Sequence, residues 1–455
     1  MELSPADFLV DSLTARYGAA TRTSPLQGSF LTHQFLDDAL DRILVNITLR
    51  QLESHPLAGS DTAASLASME LAGPREKIFW DPANTRVAIV TCGGLAPGLN
   101  NVVQSMVTML HDRYHVRNIF GVPFGYYGFA HDTESKRFKF PWRRLDTRSV
   151  QNIDFEAGSI LGSARGHSNP SAIVDALVLR DVNIIFTIGG DGTLAGANAI
   201  YQEVTKRNLP IAVIGIPKTI DNDILWVSKS FGFETAVGKA VEALRCAQTE
   251  ARGAVNGIGL VKIMGRQSGA LTASAAAAMN DIDFVLIPEV ELNLEGEHGF
   301  LSVLTRRVVE KGYATVAVAE GAGQNLFPDA GKETDASGNV KLKDVGRYLK
   351  EVIPQDFKRQ GIETTLKYID PSYMLRAQTT SSDDSVFCAA LGQNAVHAAM
   401  AGKTGMMVGY SHEQFTNIPL KLVTRGRKKF DTNCPLWLSV LASTGQPAQF
   451  KATVK

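Results

Sequence analysis

The sequence predicts an α/β protein: two Rossmann-like lobes with parallel sheets and an active-site cleft between them, plus a small N-terminal extension. Three observations predict it. From Arg86 onward, short β-branched runs end at a glycine or polar turn, and a helical stretch follows each. These runs are apolar almost throughout instead of alternating, as strands are when helices cover both faces of a parallel sheet. The rhythm recurs on both sides of residue 222, so two similar lobes are expected.

At 455 residues the chain is too long for one ordinary core. Apolar residues make up 44% and charged residues 20%, enough to build buried cores. Lys and Arg total 46, as do Asp and Glu, so no global basic field exists to attract nucleic acid or an anionic membrane. Any positive charge that meets a phosphorylated ligand has to be local. Cys92, Cys246, Cys388 and Cys434 lie far apart and match no zinc spacing, and reduced thiols suit a cytoplasmic protein. The opening MELSPADFLVDSL has acidic residues and no basic lead, so no secretory signal is expected. No apolar run approaches the ~18 residues that a bilayer demands, and the final Thr453-Val454-Lys455 is no peroxisomal address.

Taken in order, residues 1–84 form the extension. Its short apolar patches, such as Phe35 to Leu49, and the Ser/Ala-rich Asp61 to Glu70 predict a helix or two used for packing or oligomer contacts. The first lobe spans 85–222, the second 223–385, and residues 386–455 return across both. Strands are expected at Arg86–Thr91, Ile184–Ile188, Ile211–Ile216, Ile258–Ile263, Phe284–Ile287, Ala314–Ala319 and Met406–Val408. Helices are expected at Leu99–Asp112, Leu194–Lys206, Glu234–Glu250, Ser268–Met279, Phe300–Glu310 and Asp384–Met400. The polar Asp329 to Val345 reads as an exposed loop.

Four motifs lie just past predicted strands, where such sheets bind ligands. In TCGGLAPGLN (residues 91–100), glycines let backbone N–H groups approach a phosphate at a helix N-terminus. A tight strand–helix turn without a ligand would look the same. In GGDGT (189–193), Asp191 suits a Mg²⁺ carried on phosphates, while Gly190 and Gly192 leave room for the phosphate chain; Thr193 and Gly196 open the next helix. Kinases of lipids and of NAD share GGDGT, so it marks a phosphoryl donor without naming the acceptor. PKTIDND (217–223) places two carboxylates on one strand-end loop, with Asp221 as proton acceptor from an attacking hydroxyl and Asp223 in support. In MGRQSG (264–269), Arg266 would stabilise charge on a transferring phosphoryl group. Arg165, Arg376 and Glu320 are further candidates: two guanidinium forks for phosphates and a carboxylate for sugar hydroxyls. The nine histidines do not cluster; His397 sits on an apolar helix as a core residue, and His167 and His298 read as loop residues.

In order, TCGGLAPGLN, LGSARG, GGDGT, PKTIDND, MGRQSG, AEGAG and YIDPSYMLRA resemble the 6-phosphofructokinase family over about residues 86–425. The flavour is similar to the ATP-dependent branch with an N-terminal extension found in plants, kinetoplastids and some bacteria. The resemblance implies a cytoplasmic, allosteric glycolytic enzyme that phosphorylates the 1-hydroxyl of fructose 6-phosphate, using ATP with Mg²⁺, in a homotetramer. It implies that the first lobe binds nucleotide through Gly93, Arg165, Gly166, Gly190, Asp191, Gly192, Thr193 and Gly196, with Asp191 on the metal. It implies that the second lobe binds fructose 6-phosphate, with Thr219, Ile220, Asp221, Met264, Gly265, Arg266, Glu320, Tyr373 and Arg376 on the sugar. Thr219, Asp221, Asp223 and Arg266 form the catalytic set.

Two departures from the better-known bacterial pattern bear on this. Lys218 replaces a glycine, as in pyrophosphate-using relatives, whereas Gly192 lacks the second Asp by which those relatives crowd the α-phosphate of a nucleotide. Gly192 therefore favours ATP. The segment beginning at Asn256 lacks the Arg that a neighbouring subunit lends to the sugar phosphate, leaving Asn256 or Arg252 to replace it. The alternatives are a pyrophosphate-dependent phosphofructokinase and a catalytically inactive regulatory subunit. A lipid or NAD kinase leaves PKTIDND and YIDPSYMLRA unexplained, and no dinucleotide fingerprint follows the first strand.

Overall fold

The structure, a computed structural model, describes residues 14–27, 35–45, 47, 67–166, 169–329, 331, 333 and 340–451. A helix or two is expected in the extension; its described residues form five short strands. These are β1 (Ala15–Arg16), β2 (Arg22–Thr23), β3 (Arg42–Leu44), β4 (Ser68–Leu71) and β5 (Lys77–Ile78). Of the two stretches singled out there, residues 46, 48–49 and 61–66 lie outside the described residues, as does His167.

β6 (Arg86–Thr91), α1 (Leu99–Thr108), β7 (Asn118–Val122), β8 (Arg143–Leu145), α2 (Pro170–Leu179), β9 (Ile184–Gly189), α3 (Asp191–Lys206) and β10 (Ala212–Pro217) follow. Next come α4 (Phe233–Arg252), β11 (Gly257–Ile263), α5 (Ala270–Met279), β12 (Phe284–Leu286), α6 (Phe300–Lys311), β13 (Tyr313–Ala319), α7 (Val345–Arg359) and β14 (Thr365–Ile369). α8 (Ser382–Met400), β15 (Lys403–Thr404), β16 (Met406–Ser411), β17 (Gln414–Pro419) and α9 (Pro435–Thr444) complete the order.

The chain divides into two compact units. The first holds residues 1–219, 224–231 and 379–427, and the second holds 220–223, 232–378 and 428–455. The first is built on a nine-stranded sheet in the order β3-β4-β17-β16-β10-β9-β6-β7-β8. From β16 to β7 neighbours are parallel, and the flanking pairs are antiparallel. Val87 to Val90 are all wholly buried, as expected of a strand covered on both faces. The second unit carries a four-stranded sheet, β12-β13-β11-β14, parallel throughout. Phe284, Phe300 and Phe450 meet edge-on or tilted in its core.

β3 and β4 belong to the extension because the sheet edge at β17 recruits them: Thr416 pairs with Leu71 and Asn417 with Glu70. An edge strand left bare would expose a row of unpaired backbone groups. A buried ion cluster anchors the join. Lys403 is wholly buried, with its ammonium 2.6 Å from Glu70 and 2.8 Å from Asp38, and Arg75 lies 2.8 Å from Asp38. Burial brings the Lys403 ammonium down to about 8, against the opposing pull of Glu70.

The segment read as an exposed loop ends differently. Val345 is wholly buried as the first residue of α7, and Asp344 caps that helix by accepting the Arg347 N–H at 3.1 Å. Residues 330, 332 and 334–339 of that segment lie outside the described residues. Among the described residues, no helix is long and apolar enough to cross a membrane.

Candidate active site

In the first unit, β9 pairs in parallel with both β6 and β10, so the loops after all three leave the sheet at one edge. The loops bind each other there: Cys92 N–H donates to the Ile188 carbonyl at 2.8 Å, and Lys218 N–H to that of Gly189 at 3.0 Å. The segment before Arg165 and Gly166 joins them, since Gly93 N–H donates to Ala164 O at 2.9 Å and Ser163 Oγ to Gly93 O at 2.8 Å. Gly93 adopts φ +85°, a conformation that a side chain would strain. The structure thus brings Gly93, Arg165, Gly166 and the run from Gly190 to Thr193 to one sheet edge.

Asp191 and Gly192 form the first turn of α3, where the helix dipole favours a negative charge. A Cβ at Gly192 would meet nothing within 4 Å. Gly196 lies one turn on, against the ring of Tyr126, whose hydroxyl donates to Thr193 O at 2.8 Å. The Lys218 side chain is buried and donates to the Gly94 carbonyl, while the Thr219 carbonyl accepts Ser230 Oγ at 2.8 Å. Burial pushes the neighbouring Cys92 thiol up to about 12, so it is no nucleophile at neutral pH.

Among the described residues, no three His, Cys, Asp or Glu side chains gather as a metal site. Asp191 fits Mg²⁺ nonetheless. Mg²⁺ keeps several waters and needs one or two carboxylates when phosphates supply its other oxygens. The Asp191 side chain is 44% exposed and is engaged by Arg427, whose Nε lies 2.7 Å from Oδ2 and whose Nη2 reaches the same oxygen.

In the second unit, Ile220 is buried, Asp221 half-buried and Asp223 9% exposed. The Asp223 carbonyl accepts Lys428 N–H at 2.8 Å. Burial draws the Lys428 ammonium down to about 8, and the Asp223 charge opposes that.

β11 and β13 are neighbours in register, so the loop holding Met264, Gly265 and Arg266 emerges beside Glu320. Gly321 N–H donates to Gly265 O at 3.0 Å, and Gly265 takes φ +142°. Burial raises the Glu320 carboxyl, with the Arg266 charge pulling the other way. Arg266 Nη2 donates to the Val340 carbonyl. β14 lies on the other side of β11, and the loop after it carries Tyr373 and Arg376, the guanidinium 4.8 Å from the ring centre. Met264, Gly265, Arg266, Glu320, Tyr373 and Arg376 therefore come from three adjacent parallel strands. Asn256 and Arg252 are not among them. They sit before β11, at the end opposite Arg266; Asn256 Nδ2 donates to Glu363 O at 2.8 Å, and Arg252 pairs with Asp281 at 2.5 Å.

Sequence reasoning missed four residues that touch these loops. Glu289 accepts the Gly269 N–H at 3.1 Å, at the N-terminus of α5. Lys262 pairs with Asp370 before the Tyr373 loop. Arg427 and Lys428 come from a basic run, 425–429, that was visible as charge. Nothing local in that run says which carboxylates it meets. His397, expected in the core, accepts or donates one hydrogen bond there, to the Tyr114 hydroxyl at 2.8 Å.

The phosphofructokinase family model matches residues 86–399. The chain is 49% identical to an ATP-dependent 6-phosphofructokinase of Borreliella burgdorferi, over 84% of this chain and 86% of that one. It is 43% identical to an ATP-dependent 6-phosphofructokinase of Amycolatopsis methanolica, over 90% and 89%. Among solved structures, a pyrophosphate-dependent phosphofructokinase from Marinobacter aquaeolei superposes with TM-score 0.63 at 20% identity, covering 81% of this chain and 92% of that one. At that identity the likeness bears on the fold alone.

Proposed function

The chain belongs to the phosphofructokinase family, and from that membership we propose that it transfers the terminal phosphoryl group of ATP to the 1-hydroxyl of fructose 6-phosphate. The products are fructose 1,6-bisphosphate and ADP, and the step belongs to glycolysis. The observation that carries the donor is similarity to ATP-dependent enzymes along most of both chains. Gly192 supports it, because the space beside its Cα is open. Lys218, the feature shared with pyrophosphate users, is engaged with the Gly94 carbonyl.

The first unit takes the nucleotide and the second the sugar phosphate. Gly93, Arg165, Gly166, Gly190, Gly192, Thr193 and Gly196 receive ATP, and Asp191 holds its Mg²⁺. When bound, Mg²⁺ neutralises phosphate charge and orients the terminal phosphoryl group. Asp221 accepts the proton of the 1-hydroxyl as that oxygen bonds to phosphorus and the bond from phosphorus to the ADP oxygen breaks. Asp223 and Thr219 support that loop, and Arg266 stabilises the charge on the transferring oxygens. Ile220, Met264, Gly265, Glu320, Tyr373 and Arg376 position the sugar phosphate. Burial raises the Glu320 carboxyl while the Arg266 charge opposes it, and its oxygens accept hydrogen bonds from sugar hydroxyls.

We also assign a cytoplasmic homotetramer. All four cysteines are free thiols, as a reducing compartment keeps them. Asn256 lies a seven-residue strand away from the Arg266 loop, roughly 23 Å. A contribution from that end to a sugar phosphate has to be made to another subunit.

A coupled assay with fructose 6-phosphate and either donor tests the reading. Turnover with ATP and none with pyrophosphate is expected. Turnover with pyrophosphate alone overturns the donor, and turnover with neither overturns the acceptor.

A further inference from the structure

Arg427 lies between the helical turn Leu420–Val423 and α9, in a stretch (426–431) with no helix or strand of its own. Its guanidinium nevertheless has a definite place. Nε and Nη2 both address Oδ2 of Asp191, so two of its donors converge on one carboxylate oxygen. The Arg427 side chain is 28% exposed, and that of Asp191 is 44% exposed. An ion pair this wet adds little to stability, because water screens it and two side chains must be held still. Holding the fold together is therefore a poor account of it.

The surroundings point to a ligand. Asp191 is flanked by two glycines, and the space beside Gly192 is open. The planar fork of an arginine matches phosphate oxygens as well as it matches a carboxylate. A Mg²⁺ that takes the Asp191 carboxylate competes with the guanidinium for the same oxygen. The guanidinium then stands beside the phosphates that the metal carries, with its donors turned from one anion to another.

We propose that Arg427 is a donor-binding residue that occupies Asp191 until the metal–nucleotide arrives and then engages its phosphate oxygens. This rests on the reading of Asp191 and the glycine loop as the Mg·ATP site. The exchange has a thermodynamic consequence. Without metal, Arg427 stays on Asp191 and contributes little to nucleotide binding. With metal, its full interaction with the phosphates is realised. Part of the preference for Mg·ATP over metal-free ATP is thereby assigned to this one side chain.

Calorimetric titration of the full chain with Mg·ATP, and with ATP in the presence of a chelator, tests it without turnover. Arg427→Gln is expected to weaken Mg·ATP about tenfold or more while changing metal-free ATP less than about threefold. Arg427→Lys, which keeps the charge and loses the fork, is expected to recover part of the loss. Mg·ATP affinity in Arg427→Gln equal to or tighter than wild type overturns the proposal, leaving the arginine as a counter-ion of Asp191. If melting curves show that Arg427→Gln does not fold, Arg427→Lys decides: several-fold weakening upholds the proposal and wild-type affinity overturns it. Wild-type protein that fails to bind Mg·ATP defeats the underlying reading of the site instead.

Discussion

Lys262, two residues before Met264, holds Asp370 at 2.9 Å and Asp344 at 3.2 Å. Its ammonium thereby ties together the strand end that carries Arg266, the cap of α7, and the start of the loop that carries Tyr373 and Arg376. Burial works against this charge, yet the bond it donates to Asp370 and the nearby Tyr368 and Asp344 carry it above its ordinary value. Lys262 stays charged across the physiological range.

Replacing Lys262 with Met frees the Tyr373 loop while leaving the transfer chemistry in place. The KM for fructose 6-phosphate is expected to rise about tenfold, with kcat within about threefold, and Lys262→Arg to restore part of the affinity. Steady-state kinetics check this. An unchanged KM would detach the loop tether from acceptor binding.

Asp221→Ala removes the carboxylate proposed as proton acceptor. Its kcat is expected to fall by about 10²–10⁴ while the affinity for nucleotide is retained. Purified variant with near wild-type kcat would mean that another group takes the proton.

Gly192→Asp tests donor choice cleanly, because the fold has room for the new side chain. A Cβ there meets nothing within 4 Å, and an acidic residue in the first turn of α3 suits the helix dipole. The melting temperature is expected to hold, while ATP affinity falls at least about tenfold from crowding and like-charge repulsion. A variant with unchanged ATP affinity would remove Gly192 from donor selection.

His397 predicts a pH effect on stability. It is buried against Tyr114, and burial first, then the Arg75 charge, lowers it from the ordinary 6.5 to about 3. The unfolded chain takes up a proton near pH 6.5 that the folded chain refuses until about pH 3. The contribution is therefore intact above pH 6.5 and declines below it, by about 1.4 kcal/mol per pH unit between those limits. Denaturant melts from pH 4 to 8 are expected to show this slope in wild type and a shallower one in His397→Gln. Equal slopes would assign the acid sensitivity to other groups.

The central strands were legible because they are apolar for their whole length: Arg86–Thr91 is read and found with the same bounds. Of the strands that were missed, β7 carries that signal from Ile119 to Val122 and was still passed over, whereas others lack it. β14 has Lys367 at its centre and no buried residue, and β3 and β4 are short additions to an edge. The strands found among the described residues of the extension were not read because each owes its state to a backbone partner, as β4 does to Thr416 and Asn417 and β1 to Lys403 and Thr404. No local period records such a partner.

The same division runs through the site. The candidate residues of the strand-end loops were legible, because phosphate approach and metal binding would restrict residue type at fixed offsets: Gly190, Asp191 and Gly192 in one loop, Asp221 and Asp223 in the next. By itself the sequence determined the α/β class, the central strands and the chemistry offered by those loops. Only the tertiary structure decided that Arg427 lies on Asp191, Lys262 on Asp370 and Lys403 on Glu70. These pairings join residues 236, 108 and 333 positions apart. A charge reads the same in sequence whether it faces water or a distant partner, and only the packed chain brings the two within Coulombic reach.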